Sequence, residues 1–218
     1  MKKLVTVIVL ALFLVTYTAT VVFGNAYTLG AENGKLLSPA GLGLDLTGTF
    51  VQKSSSLNNP SALSAQLSYG ISPALTVAGE ISQANGNNQT LVKAYFGPMH
   101  KGNGYTAYLS YDLSKGEIPS YGLSLWSDSK LAFAFINLES VPQDQGSFRV
   151  TPGLNLRLGS KLRIGGEVEF KSGQGNYEAV RVGASYALTR KILAKINLEN
   201  GAGSKSDRVY SVGLSTEL

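Results

Sequence analysis

From residue 41 to the C-terminus, apolar and polar residues alternate with a period of two, and the rhythm resets about a dozen times. A period of two is the signature of strands whose two faces meet different surroundings, and no segment after Tyr27 shows the 3.6-residue period of a helix. The pattern predicts strands over Gly41–Gln52, Ala62–Ile71, Leu75–Ser82, Leu91–Pro98, Tyr105–Leu113 and Ser120–Ser127. It continues with Leu131–Glu139, Phe148–Leu158, Leu162–Lys171, Glu178–Leu188, Ile192–Glu199 and Arg208–Leu218. One face is apolar in nearly every strand, as in Leu63, Ala65, Leu67, Tyr69, Ile71 and again in Ile192, Ala194, Ile196, Leu198. The other holds Gly, Ser, Thr, Ala, Asn and charges.

The connections alternate as strictly as the strands. Ser72-Pro73-Ala74-Leu75, Asp128-Ser129-Lys130-Leu131, Gly159-Ser160-Lys161-Leu162 and Thr189-Arg190-Lys191-Ile192 share one short-turn pattern, and three-residue hairpin loops are expected there. Longer connections rich in Asn, Gly, Ser and Gln separate them: residues 53–61, 83–90, 142–147, 172–176 and 200–207. Short turns at one end, longer loops at the other and an even strand number describe a closed, antiparallel, up-and-down all-β transmembrane barrel of about twelve strands. A soluble sandwich also alternates, with its apolar side inward. Against it, aromatic residues gather at strand ends: Tyr69, Phe96, Tyr105 and Tyr186 by the short turns, Tyr121, Phe148, Phe170, Tyr177 and Tyr210 by the long loops. Paired interfacial girdles account for that placement. The opposite face is rich in glycine and small residues, as a confined lumen would be.

The N-terminus adds the compartment. Lys2 and Lys3, an apolar run from Leu4 to Phe23 and then Gly24-Asn25-Ala26 have the layout of a secretory signal peptide over residues 1–26. A transmembrane anchor is the alternative, disfavoured because no basic stop-transfer cluster follows. Residues 27–40 are then a periplasmic or plug segment, and residues 41–218 the barrel. The chain has no cysteine, which excludes both a lipid-anchored cysteine and a disulfide framework. Its net charge of +5, or +3 without Lys2 and Lys3, is too mild and dispersed for nucleic acid.

Two local strings carry a family resemblance. Tyr69-Gly70-Ile71-Ser72-Pro73-Ala74-Leu75-Thr76-Val77 resembles the strand–turn–strand hairpins of bacterial outer-membrane β-barrel proteins. The terminal Tyr210-Ser211-Val212-Gly213-Leu214-Ser215-Thr216-Glu217-Leu218 resembles that family's assembly signal, with Leu in place of the usual final Phe. The resemblance, to a small porin-like barrel, implies a wall in outer-membrane lipid, assembly by the barrel-insertion machinery and passage of small hydrophilic solutes.

Following the pleat, fourteen charges point into the lumen, seven basic and seven acidic. The pore-lining candidates are Glu80, Lys93, Arg149, Arg157, Arg163, Glu167, Glu169, Arg181, Lys195 and Glu199; Asp45, Asp112, Lys171 and Glu217 share their face. Turn register pairs Arg181 with Glu199, a cross-strand contact contributing roughly 0.2–1 kcal/mol. The same rule sets Arg157 opposite Arg163, which calls for a nearby carboxylate or an anion. Two readings stay open: an electropositive constriction at the periplasmic mouth that favours anions, or a salt-bridged lining that fills the barrel. Tyr108 is inward by parity; Trp126 is either inward or part of a girdle.

Catalysis has little to stand on. His100, the one histidine, lies in a loose turn without a serine-nucleophile motif around it, and no His/Cys set suits a metal. No cofactor is expected. The sequence therefore points to a narrow passive channel, with a closed structural or surface-interaction barrel as the alternative.

Overall fold

A computed structural model describes residues 36–53, 56–57, 62–84, 87–98, 102–114, 116, 119–140, 147–172, 177–201 and 208–217. The expected signal peptide and most of the 27–40 segment lie outside them. Among the described residues there are thirteen strands: β1 (Leu42–Lys53), β2 (Ser56–Leu57), β3 (Ala62–Ser72), β4 (Leu75–Ala84), β5 (Asn87–Phe96), β6 (Asn103–Asp112), β7 (Ser120–Asp128), β8 (Ala132–Ser140), β9 (Phe148–Leu158), β10 (Leu162–Lys171), β11 (Tyr177–Ala187), β12 (Ile192–Gly201) and β13 (Arg208–Glu217). β2 is a two-residue return on the end of β1 and takes no part in the wall. The other twelve run antiparallel in sequence order, and β13 pairs with β1 to close the barrel. Closure leaves no open edge in the wall, the condition for a sheet to lie in hydrocarbon.

The apolar faces look outward. Leu67, Tyr69, Ile71, Leu109, Leu125, Leu154, Leu156, Ile164, Val182, Ile196, Val212 and Leu214 are all exposed, while Gln66, Ser68, Thr106, Ser124, Asn155 and Ser185 are buried inside. A water-soluble barrel would reverse this arrangement. The expected girdle residues Tyr69, Phe96, Tyr105 and Tyr186 at one end and Tyr121, Phe148, Phe170 and Tyr177 at the other stand on the exposed face. Tyr121 and Phe148 meet edge to face across the end of β8, with centroids 6.5 Å apart.

Turn detail departs from expectation in three places. The connection read as a long loop over 83–90 is mostly ladder, because Ala84 pairs with Asn87 and leaves only Asn85-Gly86 between the strands. Asn-Gly is a strong signal for a two-residue hairpin turn, and it was hidden by the polar Asn87, Asn88 and Gln89 that follow it. The first signature turn is also shorter: Ser72 pairs with Leu75, and a register shift at Ile71 absorbs the extra residue. At the second, the Ser129 amide donates to Ala132 O at 2.8 Å, so Leu131 is a solvent-exposed turn tip and not the first strand residue. The 159–161 turn has the expected three-residue loop, with Gly159 at φ +78°.

Candidate functional site

The lumen is divided lengthwise into two unlike halves. One half is an aromatic block carried by β5 to β8. Tyr95 and Tyr108 face each other in register with ring centroids 6.4 Å apart. Trp126 lies 6.3 Å from Phe133, and Phe133 stacks on Phe135 at 5.8 Å. Inward glycines make room for these rings. Gly122 is the register partner of Tyr108, Gly104 of Trp126 and Gly153 of Phe135, and in each case an added Cβ would overlap the ring. An aromatic ring laid over a cross-strand glycine restores the packing that a missing side chain forfeits. Tyr95 and Phe133 are fully buried. This half is a packed core, with Trp126 partly buried against it.

Thr106 and Ser124, directly opposite each other, are sealed between the Tyr108 and Trp126 positions, and their hydroxyls have no hydrogen-bond partner among the described residues. Of this block, only the inward parity of Tyr108 and Trp126 is readable beforehand. Tyr95, Phe133 and Phe135 were missed because Val92-Ala94-Phe96 marks the other face as apolar in β5, while Phe133 and Phe135 alternate with Ala134 and Ile136 and leave β8 apolar on both faces.

The other half is a charged ladder carried mainly by β9 to β13 and β1. Its centre is Arg181 on β11. Nε donates to Glu199 Oε2 at 2.6 Å, Nη2 to Glu169 Oε2 at 2.7 Å and Nη1 to Glu167 Oε1 at 3.0 Å. The register makes this possible, because Glu167, Arg181 and Glu199 are successive partners across β10, β11 and β12. Arg149 Nε lies 3.3 Å from Glu169 Oε1 and 3.7 Å from Glu178 Oε2. Glu178 is inward against strict alternation. A bulge pairs Glu169 with Ala179 but Phe170 with Tyr177, so Glu178 is the unpaired extra residue. Among the described residues, four carboxylates thus share the guanidiniums of Arg149 and Arg181.

The remaining candidates are placed as follows. Arg157 and Arg163 are in register, as expected, at the short-turn end. The carboxylate that this pair calls for comes from the last residue of β7: Arg157 Nη2 meets Asp128 Oδ1 at 2.6 Å, and its Nη1 donates to the Ser129 carbonyl. Lys93 pairs with Glu80 at 2.7 Å and also reaches Gln66. Lys195 on β12 reaches over β13 to Asp45 on β1 at 3.0 Å. The strand crossed presents Gly213 opposite Lys195, so this pair clips the seam of the barrel. Ionic side chains in the ladder keep between 13% and 40% of their surface exposed, Glu167 excepted. Water reaches this half.

A short arm enters the lumen ahead of β1. Leu36 packs on Ala78, Tyr95 and Tyr108, and the Leu37 amide donates to Thr76 Oγ1 at 2.8 Å. Among the described residues no group of His, Cys, Asp and Glu is arranged to hold a metal ion.

No protein-family model and no curated protein matches the chain. Solved structures do resemble it. A KdgM porin superposes with a TM-score of 0.61 at 14% identity, covering 79% of this chain and 98% of its own. A KdgM porin in complex with disordered oligogalacturonate gives 0.61 at 15%, covering 80% and 98%, and a NanC porin gives 0.60 at 17%, covering 80% and 100%. At these identities the likeness is one of fold. The chain is a closed, twelve-stranded, up-and-down β-barrel with the architecture of the KdgM and NanC porins.

Proposed function

We propose that this chain is a narrow passive channel of the bacterial outer membrane for small hydrophilic solutes, conducting along the charged half of the lumen. The observation that carries this reading is the pairing of an apolar outer wall with a water-exposed ladder of charges inside. Twelve strands stand between the side-chain-filled interior of eight and the aqueous channel of sixteen. The aromatic block narrows the bore further. The lipid of the membrane and the barrel-insertion machinery are the partners this reading requires, with the closing strand β13 as the segment to be recognised.

Charge preference follows from the ladder. The anion-favouring constriction rested on Arg157 facing Arg163, and Asp128 together with the Ser129 carbonyl now occupies Arg157. With four carboxylates sharing Arg149 and Arg181 among the described residues, neutral and cationic solutes are favoured over acidic ones, unlike the oligogalacturonate bound by one of the fold's relatives. Swelling of proteoliposomes in isotonic solutes of increasing size tests the reading. Neutral solutes of sugar-monomer size should enter, and larger ones should not. Vesicles that stay sealed to every solute would replace the channel with the second reading, a closed barrel, which the fully buried Tyr95 and Phe133 favour.

A further inference from the structure

The arm over residues 36–41 is held by a set of features that the barrel wall itself does not need. Gly41 N donates to Ser38 O and Ala40 N to Gly70 O, both at 2.8 Å, closing a tight turn at the mouth of β1. Ala40 adopts φ +62°, the left-handed region that a non-glycine residue enters only at a cost. Strain of this kind persists only where surrounding contacts enforce it. Those contacts are inside the barrel. Gly70 on β3 faces the lumen, and a Cβ there would overlap the Ser38 carbonyl oxygen. Thr76, the register partner of Gly70, is the acceptor for the Leu37 amide. The Leu37 side chain lies against Gly43, and Leu36 completes the cluster with Ala78, Tyr95 and Tyr108. Leu36 and Leu37 are each less than a tenth exposed.

The arm therefore crosses the inner wall from β1 past β3 and β4 to β5 and β6, on the aromatic side and towards the short-turn end. Every wall position it touches is small, hydroxylated or aromatic. Arm and aromatic block together occupy one side of the bore and leave the charged ladder as the open side. Among the described residues, three hydrogen bonds join the segment to the wall: the Leu37 amide to Thr76 Oγ1, the Ala40 amide to Gly70 O and the Gly70 amide to Gly41 O. An element held by so few contacts belongs to the low-stability end of a fold, where opening is local.

We propose that the 36–41 arm is a releasable lumenal strap, seated in a slot formed by Gly70, Thr76 and the Tyr95–Tyr108 pair, and that its docked position sets the bore at the periplasmic end. This rests on the channel reading above for its effect on conduction, but not for the docking itself. The test uses a single thiol, which the cysteine-free chain allows. With Leu36→Cys in the otherwise intact barrel, a charged maleimide added from solution should react slowly. Adding Gly70→Ala should remove that protection and raise the unitary conductance in planar bilayers. Where Gly70→Ala yields no folded barrel, Leu37→Asp carrying the same thiol serves instead, since it leaves the wall untouched. Equal reactivity in both backgrounds would overturn the docked strap. Released protection with unchanged conductance would overturn its control of the bore. Absence of conductance in every variant, with the thiol behaving as expected, would remove the channel and with it the bore control, while the docking stands.

Discussion

Replacing Arg181 by Met is the perturbation that reaches furthest into the lumen. One guanidinium serves Glu199, Glu169 and Glu167 at 2.6, 2.7 and 3.0 Å. Each charge-assisted hydrogen bond contributes roughly 1.5–3 kcal/mol net, and contributions within one network do not add. Removing one partner of a buried ion pair costs about 3–5 kcal/mol, largely because the other charge is stranded. Here Glu167 is buried, with a side chain only 3% exposed, whereas Arg181 keeps 26% and Glu199 35% of theirs. Screening by lumenal water moves the value to the lower end, so Arg181→Met should cost about 3 kcal/mol at neutral pH. Urea unfolding from lipid vesicles, followed by the fluorescence of the single Trp126 against Phe133, measures it. Combining Arg181→Met with Glu167→Gln, Glu169→Gln and Glu199→Gln should recover most of it. A cost below about 0.5 kcal/mol at pH 7, or none of it regained in the combined variant, would refute the hub.

Three further outcomes follow from the same geometry. Gly122→Ala and Gly153→Ala should each lose about 1–3 kcal/mol by forcing Tyr108 or Phe135 off its seat, while Gly79→Ala, with nothing within 4 Å of its Cβ position, should be near neutral in the same urea titration. Asp128→Asn should uncover the Arg157–Arg163 pair and shift the reversal potential in a salt gradient towards anions. A double-mutant cycle on Lys195→Met and Asp45→Asn should show a coupling of about 0.5–1 kcal/mol across the seam, and none would mean the clip is idle.

The wall was legible because alternation, turn spacing and an even strand number all report on the same object. Strand order, register at Arg157–Arg163 and Arg181–Glu199, and the outward apolar face follow from parity and loop length alone. The interior was legible only as a list of faces. Parity says that Arg181 and Glu169 point inward, but they are separated by a diagonal across β10 and β11, and their contact depends on side-chain reach. Glu178 was unreadable because a bulge breaks parity at that residue. Asp128, read as a turn residue, is the last residue of β7, on the same face as Ser124 and Trp126, and there meets Arg157. The aromatic block escaped for a different reason. Its room comes from Gly104, Gly122 and Gly153 on neighbouring strands, and a glycine in one strand does not announce which ring will cover it.

The central claim is a water-filled path along the charged ladder. Single-channel recording in planar bilayers under a potassium chloride gradient tests it most directly. The account predicts small, discrete unitary steps and a reversal potential on the cation side of zero, moved further that way by Arg149→Met, whose guanidinium lies against Glu169 and Glu178. Membranes that stay silent with folded barrel inserted, or a reversal potential firmly on the anion side, would contradict it.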